Sequence, residues 1–363
     1  MSRVEKEDFF VLDARTETDF SKWLSLYNAW EKSEPFAHPA YCKLFCDDKT
    51  NAKCAVLISS QGTVMYPFLL RDIKKEAYAE FVLNEVKDII TPYGYGGQYI
   101  ISCFDQEKLI ELFNAQLKLW AQSEHVVCEV IKFHLFKEDI LPYSGDISSP
   151  LSNIVVDLLT KRDELWLNFD HKVRKNVKKA QRSNLKFVAD NNGKYLDQFL
   201  DIYYQTMDRK SAKENYYFNT AFFKTIIEEM PDNFHFFHVF SDDKIISTEL
   251  CMVSKQNIYS YLGGTLSEYF ELRPNDLLKY EIILWGMENK KERFVLGGGY
   301  QDDDGIFKYK RAFAPEGILP FYLGTKITNE NLYNQLIQAK KDFNTTKGQV
   351  WEPIQGFIPG YRT

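Results

Sequence analysis

Between Tyr261 and Phe313 four short signatures follow one another, and they constrain the fold more than any other part of the chain. Tyr261-Leu262-Gly263-Gly264-Thr265 reads as a strand ending on glycines. Pro274-Asn275-Asp276-Leu277-Leu278-Lys279-Tyr280-Glu281 starts a helix on proline, where a missing N–H costs nothing. Leu296-Gly297-Gly298-Gly299 ends a second strand on glycine, and Phe307-Lys308-Tyr309-Lys310-Arg311-Ala312-Phe313 alternates aromatic and basic residues, which predicts a Lys-rich strand. Strand, helix, strand and strand in this order predict a mixed α/β unit.

The same element order is legible in the first half. Ala55–Ser60 and Val64–Leu70 predict two strands around the turn Gln61-Gly62. Leu109–Gln122 carries apolar residues at helical spacing and is followed by the strand Val126–Ile131. In the second half Phe236–Phe240, a turn at 241–244, Ile245–Met252 and Ile258–Leu262 lead into a helix over Asn275–Met287 and the strand Phe294–Leu296. Thr91-Pro92-Tyr93-Gly94-Tyr95-Gly96-Gly97 parallels Tyr259-Ser260-Tyr261-Leu262-Gly263-Gly264, so the chain reads as a pseudo-repeat of one mixed α/β unit. A Gly/Ser/Pro-rich linker, Pro142–Pro150, separates the halves and is followed by the strand Asn153–Leu159. Residues 163–183 then predict one basic helix, and Leu332–Phe343 another amphipathic one. The resulting division is 1–150, 151–330 and a helix with tail over 331–363.

A chain of 363 residues, 45% of them apolar, supplies two cores. No run approaches the ~20 uncharged apolar residues that span a bilayer, and Met1–Asp8 has no apolar signal region, which predicts a cytoplasmic protein. Cysteines at 42, 46, 54, 103, 128 and 251 form no C-x-x-C pair, and the histidines stand at no zinc-finger distance from them. Reduced thiols and no metal are expected. Asp302-Asp303-Asp304-Gly305 lacks calcium-loop spacing and reads as a turn. The net charge is −6, yet residues 171–186 hold seven Lys or Arg and no acid, so a polyanion would meet the protein there.

These motifs resemble the Fem family of peptide-bond-forming transferases, within the GNAT-like acyltransferases. The resemblance implies two tandem GNAT-like domains, each a central mixed sheet flanked by helices. It implies transfer of an aminoacyl or acyl group to an amine of a nucleotide- or lipid-linked cell-envelope precursor. Tyr309-Lys310-Arg311-Ala312-Phe313 is similar to the family's Phe-Lys-Arg-Gly-Phe segment, whose lysine is linked to catalysis, with Tyr for Phe and Ala for Gly here. Lys310 is therefore the catalytic candidate, since an ammonium can stabilise the oxyanion of acyl transfer. On a strand, Lys308 would share its face, which makes it a substrate-binding candidate. The plain alternative is an edge strand guarded by lysines.

Tyr203–Arg209 and Tyr216 match the region that contacts diphosphate and sugar in the family. Arg209, Tyr216 and Tyr261 are the acceptor-binding candidates, and an amphipathic helix with a surface Arg is the plain reading. Arg174, Val177 and Ala180 resemble the family's Arg-x-x-Ile-x-x-Ala, on a helix that would meet tRNA or acceptor phosphates, or else a solvated face. In the first domain Tyr93 and Tyr95 combine with glycines as a sugar- or uracil-binding loop. Lys43 matches an acceptor-binding lysine, or is a surface lysine.

No permanently bound cofactor is implied, only a donor, aminoacyl-tRNA or acyl-CoA. An orthodox GNAT holds the coenzyme A pyrophosphate on a Gln/Arg-x-x-Gly-x-Gly/Ala loop before its central helix. Arg273-Pro274-Asn275-Asp276 has no glycine there and carries an acid, which favours the Fem-like donor. The alternatives are an acyl-CoA-dependent N-acyltransferase of polysaccharide or lipopolysaccharide sugars, and a non-catalytic nucleotide-sugar or RNA binding protein.

Overall fold

A computed structural model describes residues 7–82, 85–301 and 303–363. Residues 1–6, at the start read above for a signal region, and Asp302 of the acidic turn lie outside the described residues. The chain forms two compact units. One takes in the described residues up to Glu31, Phe36–Pro150 and Phe321–Thr363; the other takes in Lys32–Pro35 and Leu151–Pro320.

The first unit runs β1 (Asp8–Asp13), α1 (Glu17–Ala29), α2 (Pro39–Lys43), β2 (Thr50–Ser59), β3 (Gly62–Asp72), β4 (Lys87–Ile90), β5 (Tyr99–Cys103), α3 (Gln106–Ser123) and β6 (Val126–Lys132). β1, β2, β3 and β4 pair antiparallel in that order, β5 pairs with the start of β3, and β4 meets β6 in parallel. Strand alternation sends Ala55, Leu57, Val64, Tyr66, Phe68 and Leu70 to one face, under Leu109, Ile110 and Phe113 of α3. The opposite face, with Cys54, Val56, Met65 and Leu69, is covered by Trp23 and Tyr27 of α1 and Cys42 of α2. The Asp105 carboxylate caps α3 by accepting from the Lys108 N–H at 3.1 Å.

The second unit takes in β7 (Asp146–Asp157) from Leu151 onward, then α4 (Arg162–Asn168), α5 (His171–Gln181), β8 (Lys186–Asp190), α6 (Leu196–Arg209), α7 (Thr220–Glu229), β9 (Phe234–Ser241), β10 (Lys244–Val253), β11 (Asn257–Thr265), α8 (Pro274–Glu288), β12 (Arg293–Gly297) and α9 (Gly305–Arg311). β8, β9, β10 and β11 are antiparallel, and β11 meets β12 in parallel. From β8 to β12 this repeats the order from β1 to β6 with β5 left out: a strand, two helices, three antiparallel strands, a helix, a parallel strand. The apolar side chains of α5 and α8 pack into one core with Phe237, Val239, Ile246, Cys251 and Phe294 of the sheet.

Each repeat's strands are joined by a strand from outside that repeat. β7 follows β6 in the chain, yet pairs antiparallel with β12. After α9, β13 (Ile318–Ile327) pairs antiparallel with β6, and α10 (Glu330–Thr346) packs Leu336 and Ala339 against Val127, Cys128 and Val130. Arg362 ties the C-terminal tail to the same unit by donating to the buried Asp88 carboxylate at 2.7 Å and 3.1 Å.

Three local expectations are corrected. Residues 305–311 are helical, not extended, because the Asp304 carboxylate accepts from the Phe307 N–H at 2.7 Å and starts a turn. The expected helix over 163–183 is two helices, broken at Phe169-Asp170, whose backbone is extended. β7 begins at Asp146, inside the expected Pro142–Pro150 linker.

Candidate active site

β11 and β12 pair only over Asn257–Tyr259 and Arg293–Val295. β11 continues with β10 as far as Thr265, while β12 runs on beside β7 to Gly297. An open cavity of about 450 Å³ lies along the freed end of β11, walled by Ser260–Thr265, the first turns of α8, Thr206 and Arg209 of α6, and Ile306, Tyr309 and Lys310 of α9. The close glycines have a physical use here. A Cβ on Gly264 would stand 2.3 Å from Thr206 Oγ1 and 2.8 Å from the Ile202 carbonyl, so α6 can lie against β11 only if this residue has no side chain.

Helical geometry explains which lysine enters the cavity. Lys310 is three residues beyond Phe307, one turn along the same face, and Phe307 is buried in the core. Lys308 is rotated away and exposed. Lys310 Nζ donates to the Gly298 carbonyl at 2.7 Å. Gly297, with φ +78°, leaves room for it: a Cβ there would approach that Nζ to 3.3 Å. Burial, together with the nearby Lys279 ammonium, pushes Lys310 down to about 8.

The cavity wall also holds a buried ion pair that the sequence motifs do not reveal. Lys279 Nζ donates to both Glu249 carboxylate oxygens, to Oε2 at 2.6 Å, and to Ser260 Oγ at 2.9 Å. Ser260 in turn donates to Glu249 Oε1 at 2.5 Å. The available signal was compositional: Lys279 is the single cation in Leu277–Trp285, and Glu249 the single charge in Ile245–Val253. A charge inside an apolar run demands a buried partner, but 30 residues separate these two.

The start of α8 is a poor cradle for a pyrophosphate. Pro274 offers no N–H, and the buried Asp276 carboxyl accepts from Asn176 Nδ2 at 3.1 Å. Desolvation pushes that carboxyl above the usual range. Asn275 Nδ2 donates to the Tyr309 hydroxyl at 2.8 Å, tying α8 to α9.

Residues 168–311, which hold every group of this cavity, match the Acetyltransferase (GNAT) domain family. Residues 168–311 are therefore a GNAT-like acetyltransferase domain, and the chain has a Fem-like fold. No curated protein matches the sequence. Among solved structures, FemX superposes with a TM-score of 0.63 at 12% identity, over 87% of this chain and 97% of that one. The C-terminal domain of a putative lysylphosphatidylglycerol synthetase from Agrobacterium fabrum superposes at 0.55 and 12% identity, over 94% and 100%. L-PGS from Bacillus licheniformis superposes at 0.55 and 13% identity, over 90% and 96%. At such identities these likenesses establish the fold.

Within the GNAT domain the cavity brings together Lys310, Arg209 and Tyr261. Arg209 ends α6, exposed, with its guanidinium 5.1 Å over the Phe270 ring. Tyr216 does not line the cavity; its carbonyl accepts from the Tyr203 hydroxyl. Arg174 is turned onto the end of α4, where its guanidinium donates to the Leu167 carbonyl at 2.7 Å and to that of Phe169. The rest of α5's basic face, Lys172, Lys175, Lys178, Lys179 and Arg182, is exposed.

The remaining sequence candidates belong to the first unit. Lys43 ends α2, exposed, 5.5 Å from the Phe20 ring. Tyr93 is exposed and its carbonyl accepts from the Tyr41 hydroxyl at 2.7 Å. Tyr95 packs edge-on against Phe36 and Phe321. Among the described residues no group of three or more His, Cys, Asp or Glu can hold a metal, and no helix is long and apolar enough to cross a membrane.

Proposed function

We propose that this acyltransferase forms an amide by moving an aminoacyl or acyl group onto an amine of a nucleotide- or lipid-linked cell-envelope precursor. The observation that carries the reading is the Lys310 ammonium, held by Gly298 on the wall of an open cavity. In direct attack the acceptor amine adds to the donor carbonyl, whose oxygen takes the negative charge. Lys310 Nζ stabilises that oxygen, and collapse expels the donor's alcohol or thiol as the amide forms. Arg209 presents a guanidinium fork for acceptor phosphates and Tyr261 a face for the sugar. Glu249 is committed to Lys279, so the amine proton leaves through the acceptor's own carboxylate or phosphate.

The start of α8 bears on the donor. A coenzyme A pyrophosphate there would face Pro274 and the Asp276 carboxyl in place of free backbone N–H groups. That supports an aminoacyl donor, with the exposed basic face of α5 as the surface for tRNA. The fold likeness to proteins named for lysylphosphatidylglycerol synthesis agrees with aminoacyl transfer to a lipid-linked acceptor.

Titration of the purified protein with UDP-linked muramyl pentapeptide and, in parallel, acetyl-CoA tests this reading. Binding of the UDP ligand by wild type, weakened in Arg209→Ala and retained in Lys310→Ala, is expected. Binding of acetyl-CoA alone would replace it with an acyl-CoA-dependent N-acyltransferase of envelope sugars.

A further inference from the structure

The first unit contains a second cavity, of about 170 Å³, between α3, β4, β6 and β13. Its volume equals that of about five or six waters, so it suits a small molecule. One side is aliphatic: Ile89, Leu117, Val126 and Ile327. The polar side holds two groups whose bonding is incomplete.

The first is Glu129, 7% exposed. Its Oε1 accepts from the Tyr66 hydroxyl at 2.9 Å and its Oε2 from the Tyr143 hydroxyl at 3.1 Å. It forms no ion pair with any described residue, and each oxygen keeps an accepting position. A buried carboxylate is normally matched by a cation. Burial pushes this one upward, against the opposing pull of the two tyrosine hydroxyls and of Lys326 farther out. The second group is Gln98, 8% exposed. Its Nε2 donates to Asn114 Oδ1 at 3.1 Å, while its Oε1, fully buried, has no partner. A buried acceptor without a donor costs stability unless something fills the place.

The cations of the cavity lie farther out. Lys118 is exposed, and the half-buried Lys326 donates to Ser144 Oγ at 2.8 Å. Acceptors are deep, aliphatic carbons line the wall, and ammonium groups stand toward solvent. We propose that this cavity binds a short aliphatic amine carrying an anionic group at its other end, with the ammonium on Glu129 and Gln98 and the anion toward Lys118 and Lys326. The three N–H donors of an ammonium match the free positions of Glu129 and Gln98, and two to four methylenes cover the aliphatic wall.

The test uses the full chain and three probes of matched length: 5-aminovalerate, n-butylamine and valerate, followed by isothermal titration. The expected order is 5-aminovalerate tightest, n-butylamine weaker, and valerate weakest by about tenfold or more, the scale of one lost charge-assisted contact. Glu129→Gln and Gln98→Leu should each weaken 5-aminovalerate by about tenfold, and Ala121→Phe, which fills the cavity, should abolish it. Thermal melting identifies any variant that does not fold, and the probe order in wild type decides the matter alone if Glu129→Gln is such a variant. The proposal is overturned if none of the probes binds wild type at about 10 mM, a limit set by weak-ligand affinities. It is equally overturned if valerate binds as well as 5-aminovalerate, or if folded Glu129→Gln binds it unchanged.

Discussion

Lys279 Nζ lies 2.6 Å from Glu249 Oε2, and the two side chains are only 8% and 5% exposed. Their hydroxyl bridge, Ser260, lines the transfer cavity, so the pair forms the floor on which the site rests. Removing one partner strands the other charge. Glu249→Gln should therefore lose about 3–5 kcal/mol of stability, while Glu249→Leu with Lys279→Met should come within about 1–2 kcal/mol of wild type. Urea unfolding of the two single variants and the double variant measures this, and equal losses in single and double variants would contradict it.

The same pair sets the electrostatics of Lys310. Burial pushes the Lys310 ammonium down, Lys279 adds to that push and Glu249 opposes it, leaving it at about 8. If Lys310 acts as a cation, turnover should fall on the alkaline side with a midpoint near that value. Lys279→Met should move the midpoint upward. Lys310→Ala should lower turnover by about 10²-fold with the fold intact, the usual size for one lost oxyanion donor. An alkaline limb unmoved by Lys279→Met would rule out Lys310 as its source.

Stability has the opposite pH dependence. Folding lowers Lys310 from its ordinary 10.5 to about 8, so between these values the unfolded chain holds the extra proton. This group's contribution is therefore least favourable below pH 8, and stability recovers as pH rises through the window. Lys310→Met should raise stability at pH 7 by up to about 3 kcal/mol, given about 1.4 kcal/mol for each tenfold change in proton affinity, while removing activity. Denaturant midpoints at about pH 7 and about pH 10 check both signs: the gain should shrink at the higher pH.

Arg174 separates a structural from a substrate-binding role. Its guanidinium caps the Leu167 and Phe169 carbonyls at the end of α4. Arg174→Ala should cost about 1.5–3 kcal/mol, the worth of hydrogen bonds from a charged donor, and leave KM for the acceptor unchanged. A raised KM with unchanged stability would return it to the binding residues.

Gly264→Ala places a methyl group against Thr206 Oγ1 and the Ile202 carbonyl. Because the carbonyl belongs to α6 backbone, the helix must shift. A loss of about 1–3 kcal/mol is expected on thermal or denaturant unfolding. Lys308→Ala, on the exposed face of α9, should change neither stability nor turnover measurably.

Where periodicity is strong and the partner surface is local, the sequence pattern and the structure agree. The β2–β3 hairpin, α3, α8 and the strands β9 to β12 lie where alternation, helical spacing, Pro274 and the glycines predict them. At α9 the pattern misleads for a physical reason. Phe307, Tyr309 and Phe313 alternate like a strand, and the competing helix signal, Asp304 as cap, sits inside an acidic run that reads as a turn. The bonds that Asp304 accepts from the Tyr300 and Phe307 N–H groups decide for the helix.

The mixed α/β class and the repeated element order are written in local pattern, and Lys310 stands out through a short motif that resembles the Fem segment. Tertiary structure decided the rest. Which sheet β7 and β13 complete depends on pairing between segments far apart in the chain. Lys310 instead of Lys308 enters the cavity because a buried Phe307 orients α9. Glu249 finds Lys279 across 30 residues only when β10 and α8 are packed together. Such pairings carry no sequence period, since the free energy that selects them comes from desolvating distant groups in one place.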